Sequence, residues 1–117
     1  MGIKTGEPFH AVLSSTDAST AKTMTITKEG STTSYTVGAT DLLIVTDIIV
    51  SSTAGGTISI TSTDGTNTIT LFAGEMPVTG LFSHQFESPI YGLRGQGITV
   101  TADAGQVDII VQGSVSH

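Results

Sequence analysis

Along most of the chain, hydrophobic and polar positions alternate over short stretches, and one stretch breaks the alternation. Residues 41–50 form the only long apolar run, rich in β-branched residues and bounded on both sides by polar or Gly-containing segments. Side chains alternate along a strand. Leu42, Ile44, Thr46, Ile48 and Val50 are therefore expected on one face, and Leu43, Val45, Asp47 and Ile49 on the other. Such a strand is greasy on both sides. One core covers one face, so the second calls for another sheet or another subunit.

The remaining strands read more simply. Residues 23–27 place Met24 and Ile26 inward, and residues 33–37 place Tyr35 and Val37 inward, with Ile26 facing Tyr35 across a loop at 29–32. Residues 57–62 and 67–72 flank Asp64-Gly65, a dipeptide suited to a two-residue hairpin turn. That register sets Ile60 opposite Ile69 and Ile58 opposite Leu71. Residues 81–86 put Phe82, His84 and Phe86 on one side, and residues 89–93 form a short edge strand because Pro89 cannot donate to a ladder. Residues 98–102 and 107–111 flank Ala104-Gly105, where a tight turn sets Val100 opposite Ile109. About nine short strands, and no helical periodicity, predict an all-β sandwich or barrel. Residues 1–19 read as an extended N-terminal arm with a short strand at 9–13, and residues 20–117 as a single β-sandwich domain.

Composition narrows the function classes. The 117 residues contain no Cys and no Trp, and only 12% are charged, about half the usual share. Disulfides and thiolate metal sites are thereby excluded. Four Lys and Arg stand against ten Asp and Glu, a formal net charge of −6. Phosphate neutralisation needs clustered cations, so no nucleic-acid partner is expected. No run approaches the ~20 apolar residues of a membrane span, and the N-terminus lacks a signal-peptide core. Synthesis in the cytoplasm, with no membrane partner, is the expectation.

No constellation of catalytic residues stands out. His10, His84 and His117 lack metal-ligand spacing. Asp41 and Asp47, six apart, fall on opposite faces and are poorly placed as an acid/base pair. Asp64-Gly65-Thr66-Asn67 echoes a calcium loop only faintly, and the glycines around Arg94 precede no helix. The chain is expected to be no enzyme, with no catalytic, cofactor or metal residues. Interface residues are more telling. Phe72 and Ile110 lie on hairpin faces opposite the expected core, and with Leu43, Val45 and Ile49 they define a second apolar surface. Asp47, inside that run, needs a partner, and Arg94 is the only arginine. Ile3, Phe9, Val12 and Leu13 make the arm apolar enough to dock on a neighbouring subunit.

Residues 43–52, the Asp64-Gly65 hairpin, Pro89-Ile90-Tyr91-Gly92-Leu93, Gly97-Ile98-Thr99-Val100-Thr101 and Val107-Asp108-Ile109-Ile110-Val111-Gln112-Gly113 together resemble short jelly-roll-like virion proteins of tailed bacteriophages. The resemblance covers roughly two-thirds of the chain. It implies an antiparallel two-sheet sandwich of about eight or nine strands, jelly-roll-like, while the Ala104-Gly105 turn leaves an immunoglobulin-like sandwich open. It also implies a non-enzymatic virion structural protein. The leading form is a trimeric capsid decoration (cement) protein on the capsid surface, clamping neighbouring major capsid proteins. The alternative is a receptor- or glycan-binding tip domain of a tail appendage.

Overall fold

The computed structural model describes residues 7–17, 19–52, 55–76, 80–103 and 106–117. Among these residues the nine strands are β1 (Glu7–Asp17), β2 (Lys22–Thr23), β3 (Thr25–Lys28), β4 (Leu42–Ser52), β5 (Thr57–Thr63), β6 (Thr68–Glu75), β7 (Gly80–Tyr91), β8 (Thr99–Ala102) and β9 (Gln106–Ser116). They form two antiparallel sheets, β3-β1-β9-β4-β7 and β2-β8-β5-β6. The strand pairs are nested: β5 bonds β6, β4 bonds β7, β2 bonds β8 and β1 bonds β9. A ribbon of paired strands wound in this order is a jelly roll, with β3 added as an outer edge on β1.

The core lies between the sheets. Phe9, Ala11 and Leu13 of β1 meet Val107, Ile109, Val111 and Val115 of β9 on the inner face of one sheet. Ile58, Ile60, Leu71, Val100 and Ala102 line the other. Each large aliphatic side chain so buried contributes about 1.5–3 kcal/mol. One open side of the sandwich is crossed by the chain itself. Met24 lies between β2 in one sheet and β3 in the other, and its N–H donates to the Ile98 carbonyl. The expected single strand over 23–27 is thus split between sheets, yet Met24 and Ile26 are both buried as expected. At the opposite side, Phe72 of β6 packs on Phe82 of β7 with ring centroids 5.4 Å apart, and His84 meets Phe86 edge-on at 4.7 Å.

The long apolar run becomes β4, and the structure corrects the expected alternation there. A β-bulge between Val45 and Asp47 inserts Thr46 relative to β9. On the β7 side, residues 86–89 lie opposite that single residue, and Pro89 falls where the ladder is already broken. The inserted residue shifts the phase of the strand by one. Leu43, Val45, Ile48 and Val50 all point into the core, at 0–1% exposure. Leu42, Ile44, Asp47 and Ile49 point outward and are half-buried. The strand is therefore not apolar on two full faces.

Three further expectations change. Residues 7–17 belong to no free arm: they form β1, an interior strand hydrogen-bonded to both β3 and β9. Deleting residues 1–16 would remove most of that strand, so loss of the fold is the expected outcome. Residues 33–37 form no strand, although the Tyr35 N–H donates to the Ile26 carbonyl at 2.7 Å. Finally, β8 and β9 lie in different sheets, so they make no hairpin with each other. Val100 pairs with Ile60 and Lys22, and Ile109 pairs with Leu13 and Val50. Alternation looks the same in a hairpin and in a strand that crosses to face its predecessor, which is why the pattern suggested a hairpin here.

The β5–β6 hairpin exists with a longer loop than expected. Thr63 pairs with Thr68, and a bulge between Ile60 and Thr61, with Leu71 the extra residue on β6, sets Ile60 opposite Phe72 rather than Ile69. The Asp64 carboxylate accepts N–H bonds from Thr66 at 2.8 Å and Asn67 at 2.7 Å. These hold its carboxyl below the usual range, the Asn67 bond most strongly. Gly65 sits at φ +93° with open space around it. Gly65→Ala should cost about 1 kcal/mol, the strain of a left-handed residue alone, measurable as a small drop in urea midpoint.

Candidate functional site

The outer face of the five-stranded sheet gathers residues from strands far apart in sequence. Register places Thr25, Val12, Ile110, Ile49 and Ser83 in one row across β3, β1, β9, β4 and β7. Their neighbours Ala11, Leu13, Ile109, Val111, Ile48 and Val50 are buried, so alternation turns Val12, Ile110 and Ile49 outward. Strands are spaced about 4.8 Å apart, so these three make an aliphatic bar about 10 Å long. Ile110 is 37% exposed, and Leu81, beside the bar on the edge strand, is 70% exposed. The adjacent row on one side is polar: Thr27, His10, Gln112, Asp47 and Gln85. On the other side lie Asp108, Ser51 and Leu81. An apolar centre with polar rows beside it is the layout of a small interface.

Of the residues singled out from sequence, Val12, Asp47, Ile49 and Ile110 are brought together on this face. Phe9, Leu13, Leu43 and Val45 are corrected: all four are buried in the chain's own core and offer nothing to a neighbour. Phe72 is corrected as well, since it closes the side of the sandwich against Phe82 and His84. Arg94 does not meet Asp47. Its Nη1 donates to the Thr40 carbonyl at 2.8 Å, away from the bar. Ile3 lies outside the described residues.

A second feature, at one end of the sandwich, escaped the sequence reading. The His117 ring lies between two carboxylates, with Nδ1 2.8 Å from Asp41 Oδ1 and Nε2 2.7 Å from Glu7 Oε1. The Lys28 ammonium donates to the same Glu7 oxygen at 2.8 Å and sits 4.5 Å above the Tyr35 ring. The Tyr35 hydroxyl and the Gly38 N–H both donate to Asp41 Oδ2. The interactions therefore close into a ring through Glu7, His117, Asp41, Tyr35 and Lys28. Asp41 is buried while Glu7 is half-exposed.

The electrostatics follow. Lys28 first, then His117, hold the Glu7 carboxyl down at about 2. The Tyr35 hydroxyl first, then the Gly38 N–H and His117, hold Asp41 at about 2. Donating to a carboxylate pushes the Tyr35 phenol up to about 12, and Glu7 and then Asp41 raise His117 above an ordinary imidazole. Glu7 and His117 are 110 positions apart, and no local pattern links them. The one hint was Asp41 at the mouth of the apolar run.

Neither a family model nor a curated protein matches the chain. Solved structures do. The core of Drosophila NLP, whose structure is described in terms of pentamer formation and histone binding, aligns at TM-score 0.48 and 12% identity, over 95% of this chain and 100% of that one. Murine APRIL at pH 8.5 aligns at TM-score 0.43 and 11% identity, over 91% and 99%. A second murine APRIL structure, at pH 8.0, aligns at TM-score 0.43 and 9% identity, over 91% and 98%. The fold assignment rests on the strand order given above.

Chemically, the bar can bury area against a matching surface, and the ring of charged groups can hold chain segments together. Among the described residues, no group of three or more His, Cys, Asp or Glu is arranged to hold a metal ion.

Proposed function

We propose that the chain is a non-enzymatic structural protein that assembles with copies of itself, as a trimeric decoration protein on a virion capsid. The observation that carries self-assembly is the aliphatic bar of Val12, Ile110 and Ile49 on the outer sheet face, with Leu81 beside it. The capsid setting is supported by the resemblance of residues 43–113 to phage virion proteins. The mechanism is mechanical. Each contact on the shell is small, and a trimer that engages several major capsid proteins at once gains affinity through effective concentration. β1 is held inside the sheet and offers Val12 to such contacts on its outer face.

Size-exclusion chromatography with light scattering should show a trimer at micromolar concentration. Ile49→Asp and Ile110→Asp should each shift the trimer to monomer while leaving the β circular-dichroism spectrum intact. A wild-type monomer at that concentration would overturn self-assembly. Purified expanded capsids should retain the trimer; retention on host cells, with none on capsids, would overturn the decoration reading in favour of a tail-tip one.

A further inference from the structure

We propose that His117 is a pH-sensitive clasp: its imidazolium ties the start of β1 to the end of β9 and to the segment before β4, and loss of one ring proton opens the Glu7 side. Both ring nitrogens lie within 2.8 Å of a carboxylate oxygen. An ionised carboxylate only accepts, so each nitrogen must carry a hydrogen, and a ring with two N–H groups is the cation. A neutral imidazole has one N–H. It serves one carboxylate and turns a lone pair toward the other.

Which bond survives follows from burial. Asp41 is 4% exposed, so an unpaired oxygen there is the more costly one. Glu7 is 47% exposed and keeps Lys28. The remaining proton therefore stays on Nδ1 with Asp41, and Nε2 lets Glu7 go. The groups facing the ring come from every element packed at this end: Glu7 on β1, Lys28 on β3, Tyr35 in the segment between β3 and β4, and Asp41 at the foot of β4. Arg94 adds a further cation on the neighbouring Thr40 carbonyl. Without the imidazolium the ring of contacts is cut between β1 and β9. Glu7 then stays tied to β3 through Lys28 but no longer to β9 through His117.

The sign is fixed by the direction of each shift. His117 is raised in the folded chain, so its contribution is complete below the ordinary imidazole range, about 6.5, and is lost as pH rises through the folded value. Glu7 and Asp41 are held at about 2. Their contributions are complete above about 4 and disappear as pH falls through that lower value. The clasp is closed between those limits and opens first on the alkaline side.

The test is an NMR titration of the full chain that follows the histidine ring nitrogens and the Glu7 carboxyl carbon. His117 should titrate above the ordinary imidazole value of about 6.5, with both ring nitrogens protonated at pH 6. The Glu7 carboxyl carbon shift should move as pH passes that midpoint. That movement should vanish in His117→Gln. In Glu7→Gln, which keeps the imidazole, the His117 midpoint should drop. A His117 midpoint at or below about 6.5 would overturn the clasp, as would a Glu7 carboxyl shift that does not follow it. If His117→Gln fails to fold, the Glu7→Gln midpoint decides: an unmoved midpoint refutes the proposal.

Discussion

Gly113→Ala should leave the chain largely unfolded, or with β9 displaced from β4, at a cost of about 4 kcal/mol or more. A Cβ built on Gly113 would lie 1.8 Å from the Ile44 carbonyl oxygen and 2.8 Å from its carbon. No flexible side-chain end is in the way, so nothing can swing aside. The two backbones would have to part, and β9 and β4 lie at the centre of the five-stranded sheet. Ordinary overpacking costs about 1–3 kcal/mol, and forced separation of a central ladder exceeds that. Domains of this size hold about 5–15 kcal/mol in all. The measurement is the urea midpoint with circular dichroism. A midpoint within the range of Gly65→Ala would refute the argument. The cause is the bulge next door: Val45 pairs with Gly113, and the extra residue follows at once. A regular antiparallel ladder leaves room for a Cβ. Deleting Thr46 should therefore make Gly113→Ala much less costly, a coupling that a double-mutant cycle would read.

Ile48→Asp should abolish folding, whereas Ile49→Asp should leave a folded chain. Ile48 is fully buried and Ile49 faces outward. At Ile48 the substitution forfeits about 2–3 kcal/mol of burial and places a carboxylate in the core, which costs several more. Ile49→Asp adds a charge beside water and should change stability by less than about 1 kcal/mol. Val45→Asp should behave like Ile48→Asp. Strict alternation forbids that outcome, since it puts Val45 and Ile49 on one face and Ile48 on the other. Thermal unfolding of the three variants thus tests the bulge directly. A folded Ile48→Asp with an unfolded Ile49→Asp would return the strand to simple alternation.

Much of the sandwich was legible from period-two patterning. Met24 and Ile26, Ile58 and Ile60, Val107 and Ile109 all point inward as their alternation requires. Alternation also assigned Phe82, His84 and Phe86 to one side of their strand, where their rings do associate. Of the candidate interface, Ile49 and Ile110 were read as facing away from the expected core and Val12 as part of a docking arm, but nothing local shows that the three share a row. That depends on which strands pair and in what register. The Glu7–His117–Asp41 contacts were illegible for the same reason, because the ends of the described chain meet only after the ribbon is wound.

The amino-acid order alone determined most of the strand segments, the inward side of most of them and the poverty of charge, because these depend on side-chain alternation and composition. Only the tertiary structure decided that Thr46 is an extra residue, that β8 and β9 belong to different sheets and that β1 lies inside one. A bulge, a sheet crossing and a strand's position are settled by the packing and pairing partners of each strand, and those partners are distant along the chain.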